Sequence, residues 1–144
     1  MKVSSILATK GTTVETIGPD STVERAAQRM RASHLGALVV STDGTHYLGL
    51  ISERDIVYGF GKFGRALFDM HVADIMHKAG PRCSAEDTVE EVMAQMTHSR
   101  VRHLPVLEGG ELRGIVSIGD VVKNRLDETA HEMTLLRDAY LARG

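Results

Sequence analysis

The same pattern is written twice in this chain, and the spacing of the two copies limits what it can fold into. Asp20-Ser21-Thr22-Val23 through Met30 and Ser33 returns 66 positions on as Glu86-Asp87-Thr88-Val89 through Met96 and Ser99. Gly49-Leu50-Ile51-Ser52-Glu53-Arg54-Asp55-Ile56-Val57 returns 65 positions on as Gly114-Ile115-Val116-Ser117-Ile118-Gly119-Asp120-Val121-Val122, and Val3-Ser4-Ser5-Ile6 is answered by Val72-Ala73-Asp74-Ile75. A unit of this size exceeds a solenoid repeat, yet a chain of about 60 residues buries only about 60% of its unfolded surface. The two copies are therefore expected to pack on each other as one module with approximate two-fold symmetry and two related clefts between them.

Within each copy the pattern reads β-α-β-β-α. Val14-Glu15-Thr16-Ile17 alternates like a half-buried strand and is broken by Gly18-Pro19-Asp20. Ser21 with Glu24, and Asp87 with Glu90, have capping-box spacing, and Val23, Ala26, Ala27 and Met30 then fall on one helical face, as do Val89, Val92, Met93 and Met96. Two apolar runs follow, Ala37 to Val40 and Tyr47 to Ile51, with the hairpin signal Asp43-Gly44 between them; Leu104 to Leu107, Gly109-Gly110 and Leu112 to Val116 repeat the arrangement. Pro105 lacks a strand donor and is expected at a strand start or an edge.

The charge of −2 offers no general attraction to nucleic acid or anionic lipid, and no run approaches the ~20 apolar residues that span a bilayer. With no signal-peptide pattern, a cytoplasmic location is expected. The single Cys83 reads as a half-buried structural residue. His71, His77, His98 and His103 are scattered without zinc-site spacing, so no metal is expected. Gly59-Phe60-Gly61-Lys62-Phe63-Gly64 fits a dinucleotide fingerprint but follows a short helix rather than a strand, and reads as a flexible linker. Ser52 and Ser117 lack a neighbouring base, so no catalytic residue is identified and an enzyme is not expected.

Chemistry concentrates where Gly-apolar-apolar-Ser-x-x-Asp runs from strand to helix. One reading of Ser52 with Asp55, and of Ser117 with Asp120, is a helix cap that requires no ligand. The other uses the same geometry: a helix N-terminus and a serine donor favour an anion, and a carboxylate can grip two vicinal hydroxyls. Phosphate plus diol describes a nucleotide.

The order β-α-β-β-α, the doubled Gly-apolar-apolar-Ser-x-x-Asp and Arg102-His103-Leu104-Pro105-Val106 resemble the tandem cystathionine-β-synthase (CBS) domain family, whose paired repeats are called Bateman modules. The resemblance covers residues 3 to about 125. It implies an α/β fold of α+β type, divided into repeat 1 (1–58), a linker (59–70) and repeat 2 (71–125); beyond it, the helical spacing of Leu126, Met133, Leu136 and Tyr140 predicts an amphipathic C-terminal helix (126–144). The resemblance also implies a non-catalytic sensor that takes AMP, ADP, ATP, NAD or S-adenosylmethionine reversibly, with no resident cofactor. Carried over by position, Asp55 and Asp120 grip ribose, Ser52 and Ser117 donate near ribose or phosphate, and Leu50 and Ile115 press on adenine. Arg102 and His103 contact phosphate, with Arg54 an extra phosphate ligand in the first cleft; Leu35 and Lys10 complete the candidate set, and Gly80 to Cys83 lie in a contacting segment. The first copy has Gly36 and Ala37 where the second has Arg102 and His103, which makes the clefts chemically unequal. A homodimer forming a disc of four repeats, joined by the stripe Leu126, Met133, Leu136 and Tyr140 and signalling to an unknown regulated protein, is expected; a ligand-free assembly module is the alternative.

Overall fold

A computed structural model describes residues 1–78 and 80–143; Ala79 and Gly144, which fall within the expected repeat 2 and C-terminal helix, lie outside the described residues. In the first half α1 (Val3–Lys10), β1 (Thr16–Ile17), α2 (Val23–Ser33), β2 (Ala37–Val40), β3 (Gly49–Ser52) and α3 (Glu53–Phe63) follow one another. A 3-10 turn over Gly64–Asp69 leads to α4 (Val72–Ile75), β4 (His77–Lys78), α5 (Val89–Ser99), β5 (His103–Glu108), β6 (Glu111–Ser117) and α6 (Ile118–Arg143). The expected α/β fold of two repeats is the one observed.

Each repeat has its own core, formed by the helical stripe read from sequence. Ala26 and Met30 of α2 meet Leu38, Val40 and Ile51 of the first sheet, while Val89, Val92 and Met96 of α5 meet Leu104, Val106 and Val116 of the second. The leading helices, however, are exchanged. Val3, Ile6 and Leu7 of α1 are buried in the second core, and Val72 of α4, with Ile75 and Met76, packs into the first. The backbone bonds of the exchange are matched: Val3 N–H donates to Asp87 carbonyl (2.9 Å) as Val72 N–H donates to Ser21 carbonyl (2.8 Å). β4 even joins the first sheet, in the order β1-β2-β3-β4, with Leu50 opposite His77.

Several local expectations are corrected. The helix caps fall one residue later than read: Thr22 Oγ1 accepts from Arg25 N–H and Thr88 Oγ1 from Glu91 N–H, both at 3.1 Å. Thr22 and Thr88 have the extended backbone of a cap, which leaves Ser21 and Asp87 outside the helix. The strand expected from Val14 shortens to two residues, and its counterpart in the second copy is the single bridge Cys83–Val106. Asp43-Gly44 does not close a two-residue hairpin. It lies in a longer loop, where Asp43 Oδ1 accepts from the N–H groups of Thr45 and His46 (both 2.9 Å). By contrast, Gly109 and Gly110, with φ of 59° and 83°, do form the tight turn joining β5 to β6. Pro105 lies inside β5, with its carbonyl accepting from Cys83 N–H at 3.0 Å, so its nitrogen faces the side where the neighbouring strand is reduced to one bridge.

Residues 59–63 are the last turns of α3 rather than flexible linker, and the chain continues directly into the 3-10 turn. Gly59 is buried there because a Cβ would stand 2.9 Å from Leu67 Cδ1. Of the three glycines in the apparent fingerprint, Gly59 is thus required by close packing and Gly64 by its φ of 60° at the end of α3, while Gly61 has open space around it. No helix among the described residues is long and apolar enough to cross a membrane.

Candidate functional site

Both Ser-x-x-Asp segments sit where a strand enters a helix. Ser52 ends β3 and caps α3: its N–H donates to Asp55 Oδ2 at 2.8 Å, its hydroxyl lies 3.0 Å from the same oxygen, and Asp55 N–H donates to Ser52 Oγ at 3.3 Å. In the second copy Ser117 N–H donates to Asp120 Oδ2 at 2.8 Å and Asp120 N–H to Ser117 Oγ at 3.1 Å. Capping fixes the rotamer of each carboxylate and aligns it with a positive helix end.

Each acid also meets a nitrogen-bearing side chain delivered by an exchanged leading segment. Lys10, the last residue of α1, donates through Nζ to Asp120 Oδ2 at 2.6 Å and to Ile115 carbonyl at 2.9 Å. His77, just past α4, sets Nδ1 2.8 Å from Asp55 Oδ1. Burial pulls the Asp120 carboxyl upward, but the Lys10 hydrogen bond, the Ser117 amide and the Lys10 charge together hold it below its ordinary value. Asp55 is more enclosed, its side chain only 8% exposed against 24% for Asp120. The second acid is thus the more accessible to a ligand.

His103 joins the repeats. It opens β5 opposite Ser117, and its ring reaches over to the first copy: a Cβ on Gly36 would lie 3.1 Å from His103 Cε1 and 3.0 Å from Glu53 Oε1. Gly36 therefore leaves the space that His103 occupies. Burial, then the positive charge of Lys10, holds His103 below its ordinary value, while Glu53 and Asp120 pull the other way. The imidazole therefore sits within reach of the fields of Lys10, Arg102, Glu53 and Asp120.

The structure therefore brings Lys10, Arg102, His103, Ile115, Ser117 and Asp120 together around the start of α6. Arg102 is exposed, and its carbonyl accepts from Ile118 N–H at 2.8 Å, as Gly36 carbonyl accepts from Glu53 N–H at 3.0 Å. Leu50 and Ile115 are half-buried and pack with Val39, Leu107 and Leu112 where the two sheets meet. Two candidates lie elsewhere. Arg54 is stacked on Tyr58, 5.0 Å from its ring centre and 3.1 Å from its hydroxyl. Leu35 lines an open groove of about 630 Å³ between α2 and α3, with Met30, Ile56 and Val57. Gly80 to Cys83 end in the Cys83 bridge, whose buried thiol is pushed up to about 12 by desolvation and then by the charge of Asp87.

His77 and Glu53 were missed. Aligning Val3 with Val72 places Lys10 opposite Ala79, so the register of the copies gives no hint that His77 does for Asp55 what Lys10 does for Asp120.

The chain is similar to known proteins over most of its length. Arabidopsis thaliana CBSX3, a mitochondrial CBS domain-containing protein, is 36% identical over 129 residues, which are 87% of this chain and 62% of that protein. The crystal structure of a CBS-domain-containing protein from Agrobacterium tumefaciens, 41% identical, superposes with a TM-score of 0.84 over 87% of this chain and 99% of that one. At 20% identity the fold alone is shared with CBSX2, whose crystal structure is a complex with AMP (TM-score 0.72, 89% of this chain and 98% of that one). The CBS domain profile matches residues 3–61 and again residues 72–127. Two matches in register, on two cores that exchange their first helices, make this chain a tandem-repeat member of the CBS domain family.

Proposed function

We propose that the protein is a non-catalytic sensor whose clefts take an adenosine-containing ligand: AMP, ADP, ATP, NAD or S-adenosylmethionine. One observation carries the reading: a helix-capped carboxylate, Asp120, stands with Lys10, Arg102 and His103 around one helix N-terminus. The carboxylate suits a ribose diol, and the Lys10 ammonium and Arg102 guanidinium suit a phosphate. That CBSX2 was solved with AMP indicates that this fold has room for an adenine nucleotide. Lys10 now covers Asp120, so a diol must displace or share it, and ligand occupancy is thereby tied to the end of α1. Output passes to a regulated partner through that movement.

Calorimetric titration of the five ligands at millimolar concentration tests the reading. A ligand at 100 times its dissociation constant should add about 2.7 kcal/mol to unfolding stability. Absence of binding by all five would sink it. Asp120→Ala should lose about 1.5–3 kcal/mol of AMP binding, the scale of a hydrogen bond to a charged group. Equal affinity of the wild type for AMP and 2′-deoxy-AMP would refute the ribose grip.

A ligand-free assembly module is the second reading, favoured by one specific fact. Asp55 is already satisfied by Ser52 and His77, and Asp120 by Ser117 and Lys10. Under that reading Asp120→Ala lowers the melting temperature and no nucleotide raises it.

A further inference from the structure

Along most of its length α6 carries an apolar seam that none of the described residues of its own subunit covers. Val121 is buried, and the side of the helix bearing Asn124, Arg125 and Glu128 lies against the module: Arg125 pairs with Glu90 at 2.7 Å and Asn124 Nδ2 lies 2.7 Å from Met1 Sδ. Roughly a quarter turn away, at ~100° per residue, runs a second stripe of Val122, Leu126, Thr129, Met133, Leu136 and Tyr140. Its apolar members are from 49% exposed at Val122 to 78% at Tyr140.

Their spacing is alternately four and three residues, the heptad signature of a two-stranded coiled coil, with Leu126, Met133 and Tyr140 at a and Val122, Thr129 and Leu136 at d. A period of 3.6 would drift off this line, whereas 3.5 keeps it. The flanking charges select an orientation. Glu132 falls at g and Arg137 at the following e, which in a parallel, in-register pair makes Glu132 of one chain face Arg137 of the other, twice by symmetry. An antiparallel pair centred on Met133 would instead bring Glu132 against its own copy. Leu135 and Leu141 are also exposed but fall at c and b, off the seam.

From this register and charge pattern we propose that α6 pairs with α6 of a second copy as a parallel two-stranded coil, which sets the two second repeats side by side. The seam spans under three heptads, short for an independent coil, so exposed Ile118 at the module end contributes to the same contact. The inference is independent of nucleotide binding.

Disulfide trapping on the full chain without nucleotide tests it. Buried Cys83 has its thiol pushed up to about 12, so it contributes little background. Leu136→Cys should form a covalent dimer under mild oxidation, because a d residue faces its own copy, whereas Leu135→Cys, one residue away and similarly exposed, should not. Sedimentation of charge variants gives a second readout: Glu132→Arg and Arg137→Glu should each weaken the dimer roughly 3- to 10-fold, and the double variant should restore it. Equal trapping at 135 and 136 would mean unspecific apolar contact. Failure of the double variant to recover, trapping of Leu136 to Cys introduced at Ala130, or a wild type that sediments as a monomer would each overturn the parallel coil.

Discussion

A Cβ on Gly49 would collide with the carbonyl of His77, and one on Gly114 would stand 2.7 Å from Leu7 Cδ2. The glycine that opens each Gly-apolar-apolar-Ser segment is thus the landing place of an exchanged leading segment, β4 on Gly49 and α1 on Gly114. The two differ in what must yield. His77 backbone cannot move without breaking β4 from β3, whereas the end of Leu7 can turn. Gly49→Ala is expected to destabilise the fold by about 1–3 kcal/mol or more and Gly114→Ala by less, as read from denaturant midpoints. A neutral result for Gly49→Ala would contradict the close approach. The sequence marked Ser52, Asp55, Ser117 and Asp120 because caps are local and repeat in register. It could not reveal His77, Glu53 or the role of Gly36, whose partners arrive from the other repeat.

Among the elements, the loop between β2 and β3 carries the clearest pH signature. Asp43 holds the loop by accepting from His46 and Thr45 backbone and from the His46 ring (2.5 Å), and these bonds hold its carboxyl far below the usual range. His46 is raised in turn, first by its bond to Asp43 and then by that charge. A raised histidine contributes stability fully present below its unfolded value, about 6.5, and lost as pH climbs through the folded value. The lowered carboxyl contributes stability present above its unfolded value, about 3.9, and lost as pH falls through the folded one. Asp43→Asn should therefore depress the melting temperature more at pH 5.5 than at pH 8.5. His103, lowered by burial, acts in the opposite sense in wild type and variant alike and cancels in the difference. A pH-independent difference would show that the ring contact is not formed in solution. For helices, periodicity carried the reading well: α2 and α5 bury Val23, Ala26, Met30, Val89, Val92 and Met96 of their named stripes, with Ala27 and Met93 half-buried at the margin, because a helix face is set by nearest turns. The strands fared worse, since β1 and the Cys83 bridge owe their extent to a partner distant in sequence.

At the scale of the whole molecule, the two repeats were legible and their exchange was not. Val3-Ser4-Ser5-Ile6 and Val72-Ala73-Asp74-Ile75 look like the first elements of their own copies, and nothing in either tetrapeptide says which core receives it. Removing residues 1–10 takes Val3, Ile6 and Leu7 from the second core. At about 1.5–3 kcal/mol for each buried side chain, three such losses approach the whole stability of a domain. The truncated chain should accordingly lose amide protection in α5, β5 and β6 ahead of α2, β2 and β3 in hydrogen-exchange measurements. Uniform loss across both repeats would show that they unfold as one unit despite separate cores. The exchange also has a consequence for how the chain is made. A ribosome releases α1 before the rest of repeat 1, but its binding surface is built from residues 83 to 121, which are still untranslated when repeat 1 emerges. Repeat 1 in turn lacks Val72 until the start of repeat 2 appears. The nascent chain must carry α1 unsheltered until repeat 2 has been made, whereas repeat 1 can close as soon as α4 has been delivered.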